Sequence, residues 1–262
     1  MNKINRLFFV LLLLLPAGVC HGSEKTVTLA TLTDFAPFCF PKENSTFKEV
    51  EDIPPGSDSS QLQGYSWDVV RESFHAMDYT IRLYIVPWER GMHYLAGKKV
   101  EGIFPANHTL EREREYAFSK AYVDQVKMVI YAGADSEMTW QGLESLNGLT
   151  IGFVRGWSYG KKWETMDKII KEPTDTISQG FDLVAKRRLV GVAGYQLPYD
   201  HELKRTGRTH AFKIIGHFDT IDEYLMGRKN ERNSLFILDV FDSGREKIEK
   251  NGVLPEIERR WQ

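Results

Sequence analysis

The most suggestive chemical pattern in the sequence is Gly-x-Ser-x-Gly at positions 156–160, with Ser158 at its centre. In hydrolases this pattern places a nucleophilic serine on a sharp turn between a strand and a helix. Asp200 and His210 follow in the chain order that such enzymes use. However, no His-Gly-Gly-Gly segment precedes Ser158 to form an oxyanion hole, and a short pattern with two free positions is weak. We therefore predict that the chain is not an enzyme, with hydrolysis through Ser158 as an alternative.

Metal and cofactor sites have characteristic spacings that the sequence lacks. None of His-Glu-x-x-His, Cys-x-x-Cys or the phosphate-binding Gly-x-x-x-x-Gly-Lys-(Ser/Thr) occurs. The histidines are scattered along the chain rather than grouped as zinc ligands are. We predict neither a metal nor a cofactor.

An arginine in a glutamate-rich segment is the other candidate for binding chemistry. Arg112 lies within Glu-Arg-Glu-Arg-Glu at 111–115. A guanidinium suits carboxylate binding, because its planar fork donates two parallel hydrogen bonds and stays charged. A run of alternating charges is also typical of a solvated helix face. The segment taken alone leaves both interpretations open.

The composition limits the possible partners. The chain has 262 residues, of which 42% are hydrophobic and 27% charged, as in ordinary globular proteins. Its 34 Lys and Arg against 36 Asp and Glu give a formal net charge of -2. Because this leaves no bulk positive field to attract phosphates, we predict no nucleic-acid partner. The chain is long enough for two compact lobes.

The N-terminal residues 1–22 have the pattern of a secretory signal peptide. Lys3 and Arg6 precede an apolar run at 7–15, which small residues and Pro16 close. The run is too short for a membrane span, which needs about 20 apolar residues. We predict cleavage after Gly22 and a periplasmic mature protein. Cys39 would then be the remaining cysteine, so no intramolecular disulfide is expected.

The elements that would position the candidate residues begin with an α/β series. Alternating apolar and β-branched residues predict strands at 26–32, 79–86 and 99–105, with a helix between the first two. The segment 41–63 is rich in Ser, Pro and acidic residues, which predicts a surface excursion.

A second α/β series begins near residue 149. Its predicted members are a strand at 149–154, a helix at 161–170, a helix at 180–188 and a strand at 190–195. The tail at 234–261 is predicted to be mostly helical, with interruptions at Gly244 and Gly252. The restart of the pattern predicts a second lobe.

Several short motifs in a fixed order carry a family resemblance. They are Ala36-Pro37-Phe38, GYSWD at 64–68, LAGKKVEG at 95–102, TLER at 109–112, AFS at 117–119 with Tyr122, GLTIG at 148–152 and KNG at 250–252. With these motifs the chain resembles the family 3 extracellular solute-binding proteins, which include the amino-acid-binding proteins of ABC transporters. The resemblance spans nearly the whole chain after the signal peptide.

The resemblance implies a type II periplasmic-binding-protein fold, with two α/β lobes joined by two hinge strands and the ligand enclosed between them. Lobe one would comprise residues 23–126 and 217–262, and lobe two residues 127–216. Ligands of open α/β sheets bind beyond the carboxyl ends of the strands, which suits such a cleft.

The resemblance also assigns ligand-binding residues in lobe one. Arg112 matches the arginine of the family that binds the ligand carboxylate. Asn107 occupies the loop where relatives present Ser or Thr. Asp34 and Phe35 follow the first strand, where the family places a ligand-facing aromatic residue, and Trp88 follows the second strand. Core packing is the alternative role for both aromatic residues.

In lobe two the resemblance points to Trp157 and Ser158, with Ser158 at a helix N-terminus as a second carboxylate contact or simply as a helix cap. One position departs from the family. Amino-acid binders carry an Asp after the late strand of lobe two, which pairs with the ligand's ammonium group, and here Tyr195 occupies that position. Asp200 could replace it only if the following loop folds back.

Together these features predict a monomeric periplasmic protein that captures a small polar solute, an amino acid or related carboxylate, for an ABC permease in the inner membrane. Two alternatives remain. One is a stand-alone periplasmic sensor subunit, and the other is a hydrolase- or dehydratase-like enzyme on the same fold.

Overall fold

The computed structural model describes residues 25–261, so the predicted signal peptide at 1–22 lies outside the described part. The strands are β1 Lys25–Thr31, β2 Phe40–Pro41, β3 Val50–Ile53, β4 Leu62–Gln63, β5 Tyr79–Ile85, β6 Gly102–Asn107, β7 Tyr116–Gly133, β8 Thr150–Val154, β9 Ile170–Thr174, β10 Gly191–Tyr195 and β11 Phe212–Arg228. The helices are α1 Tyr65–His75, α2 Trp88–Ala96, α3 Gly160–Glu164, α4 Ile177–Ala185, α5 Gln196–Arg205, α6 Arg232–Lys250 and α7 Val253–Trp261. Among these residues, none of the helices is long and apolar enough to cross a lipid bilayer.

Nine strands form one mixed sheet, in the order β3-β5-β1-β6-β11-β7-β10-β8-β9. Strands β5, β1 and β6 are parallel in lobe one, and β10, β8 and β9 are parallel in lobe two. The long strands β7 and β11 lie between them, antiparallel to each other. These two strands are the hinge strands of a type II periplasmic-binding-protein fold, which confirms the predicted architecture.

Helix α1 shows how the sequence builds lobe one. It begins after Gly64, whose positive φ of 138° and lack of a side chain let the chain pass close to Phe38. Trp67, Val70 and Phe74 then recur at helical spacing and are fully buried against the sheet. Helices α6 and α7 pack on the same core, so the C-terminal tail returns to lobe one.

Lobe two is built on β8–β10 and α3–α5, and one predicted helix in it is wrong. The helix expected at 161–170 ends at Glu164, and Ile170–Thr174 forms the edge strand β9. The hydroxyl of Thr165 donates to the carbonyls of Lys161 and Lys162, an alternative to helical bonding that accompanies the stop. Pro173 is compatible with β9 because an edge strand does not need every N–H.

The polar segment 41–63 contributes structure as well as surface. Its strand β3 pairs with β5 at the sheet edge, and Lys42 forms an ion pair with Asp58 at 2.7 Å. The proposed lobe limits at residues 126 and 217 fall inside β7 and β11, because each hinge strand runs continuously through both lobes.

Candidate functional site

The predicted site residues lie where the two lobes face each other beside the hinge strands. Phe35 follows β1, Asn107 ends β6 and Tyr195 ends β10, so all three stand at carboxyl ends of strands. This edge of an α/β sheet is where ligands are generally bound. The structure brings most of the predicted residues into two groups, one within lobe one and one that bridges the two lobes.

The first group consists of Arg112, Asn107 and Trp88 in lobe one. Arg112 lies in a short 3-10 turn after β6, not on a solvated helix face. Its Nη1 donates to the backbone carbonyl of Asn107 at 3.0 Å and also to the Asn107 side-chain oxygen. The guanidinium lies over the Trp88 ring, 5.1 Å from the centroid. Within residues 25–261, Arg112 forms no ion pair, although it is half-buried.

The second group is aromatic and bridges the lobes. Trp157 and Tyr195 of lobe two have ring centroids 4.7 Å apart. Phe35 of lobe one meets both edge-on, at 6.4 Å from Trp157 and 6.3 Å from Tyr195. The Tyr195 hydroxyl donates to the Ser158 carbonyl at 2.5 Å, which fixes the ring in place. In this arrangement the lobes are in contact.

Two of the predicted residues, Asp34 and Ser158, are exposed and belong to neither group. Asp34 is exposed beside Phe35. Ser158 lies two residues ahead of α3, not at its N-terminus, and the cap residue of α3 is Tyr159, so the expected helix-capping role is wrong. Gly156 adopts φ 81°, which turns the chain before the helix and leaves Ser158 exposed.

A row of polar residues crosses the sheet between the two groups. Glu223 of β11 pairs in register with Asn107 of β6 on one side and with Asp124 of β7 on the other. Residues directly opposite each other on neighbouring strands point to the same face of a sheet. Asn107, Glu223 and Asp124 therefore share one face, and the buried Ser66 hydroxyl of α1 donates to Asp124 at the far end.

Burial dominates the electrostatics of this row. Asp124 has no exposed surface, and burial raises its pKa to about 7, while hydrogen bonds from Ser66 and with Glu223 oppose that shift. Burial and the neighbouring charge of Asp124 raise the pKa of Glu223 as well. Burial lowers the pKa of Arg112, an effect that the charge of Glu223 partly offsets. Burial is the main cause of the raised pKa of the Tyr195 hydroxyl, and the nearby charge of Glu223 raises it further.

Asp200 does not supply the carboxylate that Tyr195 lacks. It lies on α5 and accepts a hydrogen bond from the Tyr131 hydroxyl at 2.7 Å. Asp200 lines a cavity of about 370 Å³ together with Gln125 and Lys127 of β7. Strand alternation puts these two side chains on the opposite face of β7 from Asp124. Gln125 and Lys127 therefore face away from the polar row.

The contacts of the described residues do not assemble the alternative hydrolase set. Asp200 is bonded to Tyr131, and His210 is exposed in the turn before β11. None of the hydrogen bonds among residues 25–261 joins Ser158, Asp200 and His210. In the same part of the chain, no group of three or more His, Cys, Asp or Glu side chains could hold a metal ion.

No motif in the sequence marks Asp124 and Glu223. Their positions are far apart along the chain and become neighbours only through the register of β7 and β11. One signal was available. Acidic residues occur inside both long strands between apolar runs, and a carboxylate at an inward strand position is unusual enough to mark a site.

Comparison with known proteins agrees with this geometry. The profile of the Bacterial extracellular solute-binding proteins, family 3, matches residues 27–262. No curated protein matches the sequence.

Solved structures share the fold at low identity. The probable amino-acid ABC transporter extracellular-binding protein ytmK from Bacillus subtilis has a TM-score of 0.71 at 20% identity, over 91% of this chain and 98% of that one. A mutant of ArgBP from T. maritima has a TM-score of 0.64 at 19% identity, over 90% of this chain and 94% of that one. A histidine kinase sensor domain with similarity to periplasmic binding proteins has a TM-score of 0.66 at 18% identity, over 91% of this chain and 96% of that one. By its matching profile and its fold, the chain belongs to the family 3 bacterial extracellular solute-binding proteins.

Proposed function

We propose that the protein captures an amino acid or a related small carboxylate between its two lobes. The observation that carries this proposal is Arg112, a half-buried arginine at the cleft that forms no ion pair within the described residues. Partial burial of a cation without a counter-ion costs free energy, and a bound carboxylate would supply the missing charge. The Asn107 contact and the Trp88 ring hold the guanidinium in a fixed orientation, so less entropy is lost when it binds.

The remaining parts of the cleft support enclosure of a small ligand. Phe35, Trp157 and Tyr195 offer rigid aromatic surface from both lobes, which buries ligand area at low entropic cost. Rotation about β7 and β11 would open and close this aromatic wall. Binding in this way needs no chemical step, in accord with the binding proteins of the family.

The cellular context we propose is capture in the periplasm for an ABC permease. The predicted signal peptide at 1–22 supports export, and two of the structural relatives are amino-acid ABC transporter binding proteins by name. The protein would act as a monomer that delivers its ligand to the permease.

Sensing is the second candidate function, because one relative of similar fold is a histidine kinase sensor domain. In that case the closed, ligand-bound form would contact a membrane partner without handing over the ligand. Uptake of labelled ligand by cells with and without the protein separates the two functions. Loss of uptake in the deletion strain indicates transport, and unchanged uptake indicates sensing.

Thermal unfolding of the mature protein against amino acids, carboxylates, polyamines and sugars tests the proposed function. A compound present at about 100 times its dissociation constant adds about 2.7 kcal/mol to the free energy of unfolding. For a chain of this size each kcal/mol raises the midpoint by about 2–4 °C. We expect a selective rise with an amino acid or carboxylate. A rise with sugars alone, or with none of the compounds, would contradict the proposal.

A further inference from the structure

Asp124 and Glu223 form a pair of carboxyl groups that nothing in the proposed carboxylate site uses. They face each other across the two hinge strands, and neither forms an ion pair within residues 25–261. One oxygen of each, Asp124 Oδ1 and Glu223 Oε2, is buried without a hydrogen-bond partner. Two buried carboxyl groups this close together are stabilised when a proton or a cation lies between them.

Two adjacent carboxylates without solvent cannot both stay ionised, so one proton is shared between them at neutral pH. The upward pKa directions of both groups agree with this interpretation. The shared proton satisfies both orphan oxygens when no ligand cation is bound. A ligand cation could take its place, because the same oxygens would then accept hydrogen bonds from the cation.

The position of the pair relative to Arg112 indicates which group of the ligand would supply this cation. Glu223 is one strand away from Asn107, which contacts Arg112, and neighbouring strands are about 4.8 Å apart. Glu223 is only half-buried as a residue, and its charge acts on both Arg112 and Tyr195, from the two lobes. A carboxylate held by Arg112 therefore leaves a neighbouring group of the same small molecule within reach of Glu223.

We propose that the Asp124–Glu223 pair is the subsite for the ammonium group of a zwitterionic ligand whose carboxylate binds Arg112. This inference rests on the proposed function and narrows the ligand to amino acids and similar amine carboxylates. Tyr195, at the position where amino-acid binders of the family have an Asp, is neutral, and the hinge strands supply the negative charge instead. On binding, the carboxyl O–H bond of the pair breaks and its proton passes to the solvent.

Several charged and titratable groups surround the pair and shape its response to pH. They are Arg112 from the turn after β6, Cys39 from the loop after β1, Tyr65 from α1 with Arg245 of α6 beyond it, Asp222 from β11 and Tyr195 from the end of β10.

The experiment is isothermal titration calorimetry at pH 7 with two series of probes. One series is the standard L-amino acids, and the other is the matching 2-hydroxy acids, which keep the carboxylate and side chain but replace the ammonium group with a hydroxyl. We expect the protein to bind an amino acid about 10- to 100-fold more tightly than its 2-hydroxy analogue. Titration in phosphate and in Tris, which differ in ionisation enthalpy, should show proton release with the amino acid.

The Glu223→Gln variant should lose this discrimination, with about 10- to 100-fold weaker amino-acid binding and no proton release. Asp124→Asn is the second variant and should have the same effect if Glu223→Gln fails to fold. Asp222→Asn is the matched control, because Asp222 is adjacent in sequence but bonds Gln125 on the opposite face of the strands. This control should bind as the unmodified protein does.

The outcomes separate the inference from the proposed function. Equal binding of an amino acid and its 2-hydroxy analogue, or unchanged binding by both Glu223→Gln and Asp124→Asn, would overturn the inference and leave carboxylate capture intact. Failure of every probe in both series to bind would overturn both.

Discussion

Arg112 is the residue whose replacement tests the carboxylate site most directly. We expect Arg112→Ala to weaken binding of the ligand found in the thermal screen by about 2–5 kcal/mol, because the ligand carboxylate would lose a buried charged partner. Arg112→Lys should give an intermediate loss, since it keeps the charge but not the fork. Calorimetric titration measures the change.

Arg114→Ala is the control for that measurement, because Arg114 lies in the same turn but is exposed. It should leave the dissociation constant unchanged. Both variants should keep the circular dichroism of the parent protein. An Arg112→Ala variant that binds normally would show that the guanidinium does not contact the ligand.

The raised pKa of the buried Asp124 carboxyl predicts that the stability of the protein depends on pH. Its pKa is raised from 3.8 to about 7 on folding, so between these values the folded state holds a proton that the unfolded state has released. The free energy of unfolding should therefore fall as the pH rises from about 4 to about 7, by up to about 1.4 kcal/mol per pH unit. Asp124→Asn should flatten this slope and be more stable than the parent at pH 8.

Urea unfolding at pH 5, 6, 7 and 8, without ligand, measures this slope. Asp239→Asn is the control, because the Asp239 side chain is 72% exposed on α6 and should follow the parent profile. An Asp124→Asn variant with the same slope as the parent would show that Asp124 holds no proton in the folded state.

Arg112 differs from Asp124 and Glu223 in whether the sequence alone could identify it. Arg112 could be singled out because its neighbours in the chain form a motif, and the structure places it beside Asn107 and Trp88. Asp124 and Glu223 could not, because what makes them a pair is strand register and burial. Neither property is local in sequence.

Gly244 shows a similar limit at the scale of elements. A glycine is typical of a helix interruption, yet α6 runs unbroken through Gly244 and ends at Lys250, just before Gly252. The reason is packing against α1, because a Cβ at position 244 would lie 2.0 Å from the Ser73 carbonyl oxygen. Gly244 lets two helices approach closely, and Gly252, with φ 87°, turns the chain between α6 and α7.

We expect Gly244→Ala to destabilise the protein by about 1–3 kcal/mol, because the contact is with rigid backbone and the helices must move apart. Helix propensity alone would give the opposite sign, a gain of about 1 kcal/mol. Ser243→Ala, one residue earlier and exposed on the same helix, should change stability by less than about 0.5 kcal/mol. Chemical denaturation compares the two, and a stabilised Gly244→Ala would show that α1 and α6 pack less closely.

The long hinge strands are hard to predict from sequence for a related reason. Apolar runs cover only residues 124–132, 212–215 and 224–227, whereas β7 and β11 extend well beyond these. Where a strand passes between lobes its faces alternate between two cores and a polar cleft, so the hydrophobic pattern is interrupted while the backbone pairing continues.

At the scale of the whole molecule, the fold could be predicted because the ordered motifs resemble those of a family that shares it. What they could not predict is the relative position of the lobes. In the structure the lobes meet through Phe35, which contacts Trp157 and Tyr195, and on another side Phe40 contacts His201 with ring centroids 5.6 Å apart. These contacts between the lobes stabilise the closed arrangement.

Phe35→Ala should therefore shift the free protein toward open lobes. The two ring pairs that Phe35 forms with lobe two are worth about 1–3 kcal/mol together. Removing them should raise the radius of gyration measured by small-angle X-ray scattering without ligand, and saturating ligand should restore the smaller value. Because a smaller fraction of the protein would be closed before the ligand binds, the apparent affinity should fall by about 5- to 150-fold.

Phe47→Ala makes the same chemical change on a residue that is 67% exposed, and it should alter neither the radius of gyration nor the affinity. A Phe35→Ala protein with the parent's radius of gyration and affinity would mean that the hinge strands alone set the lobe position.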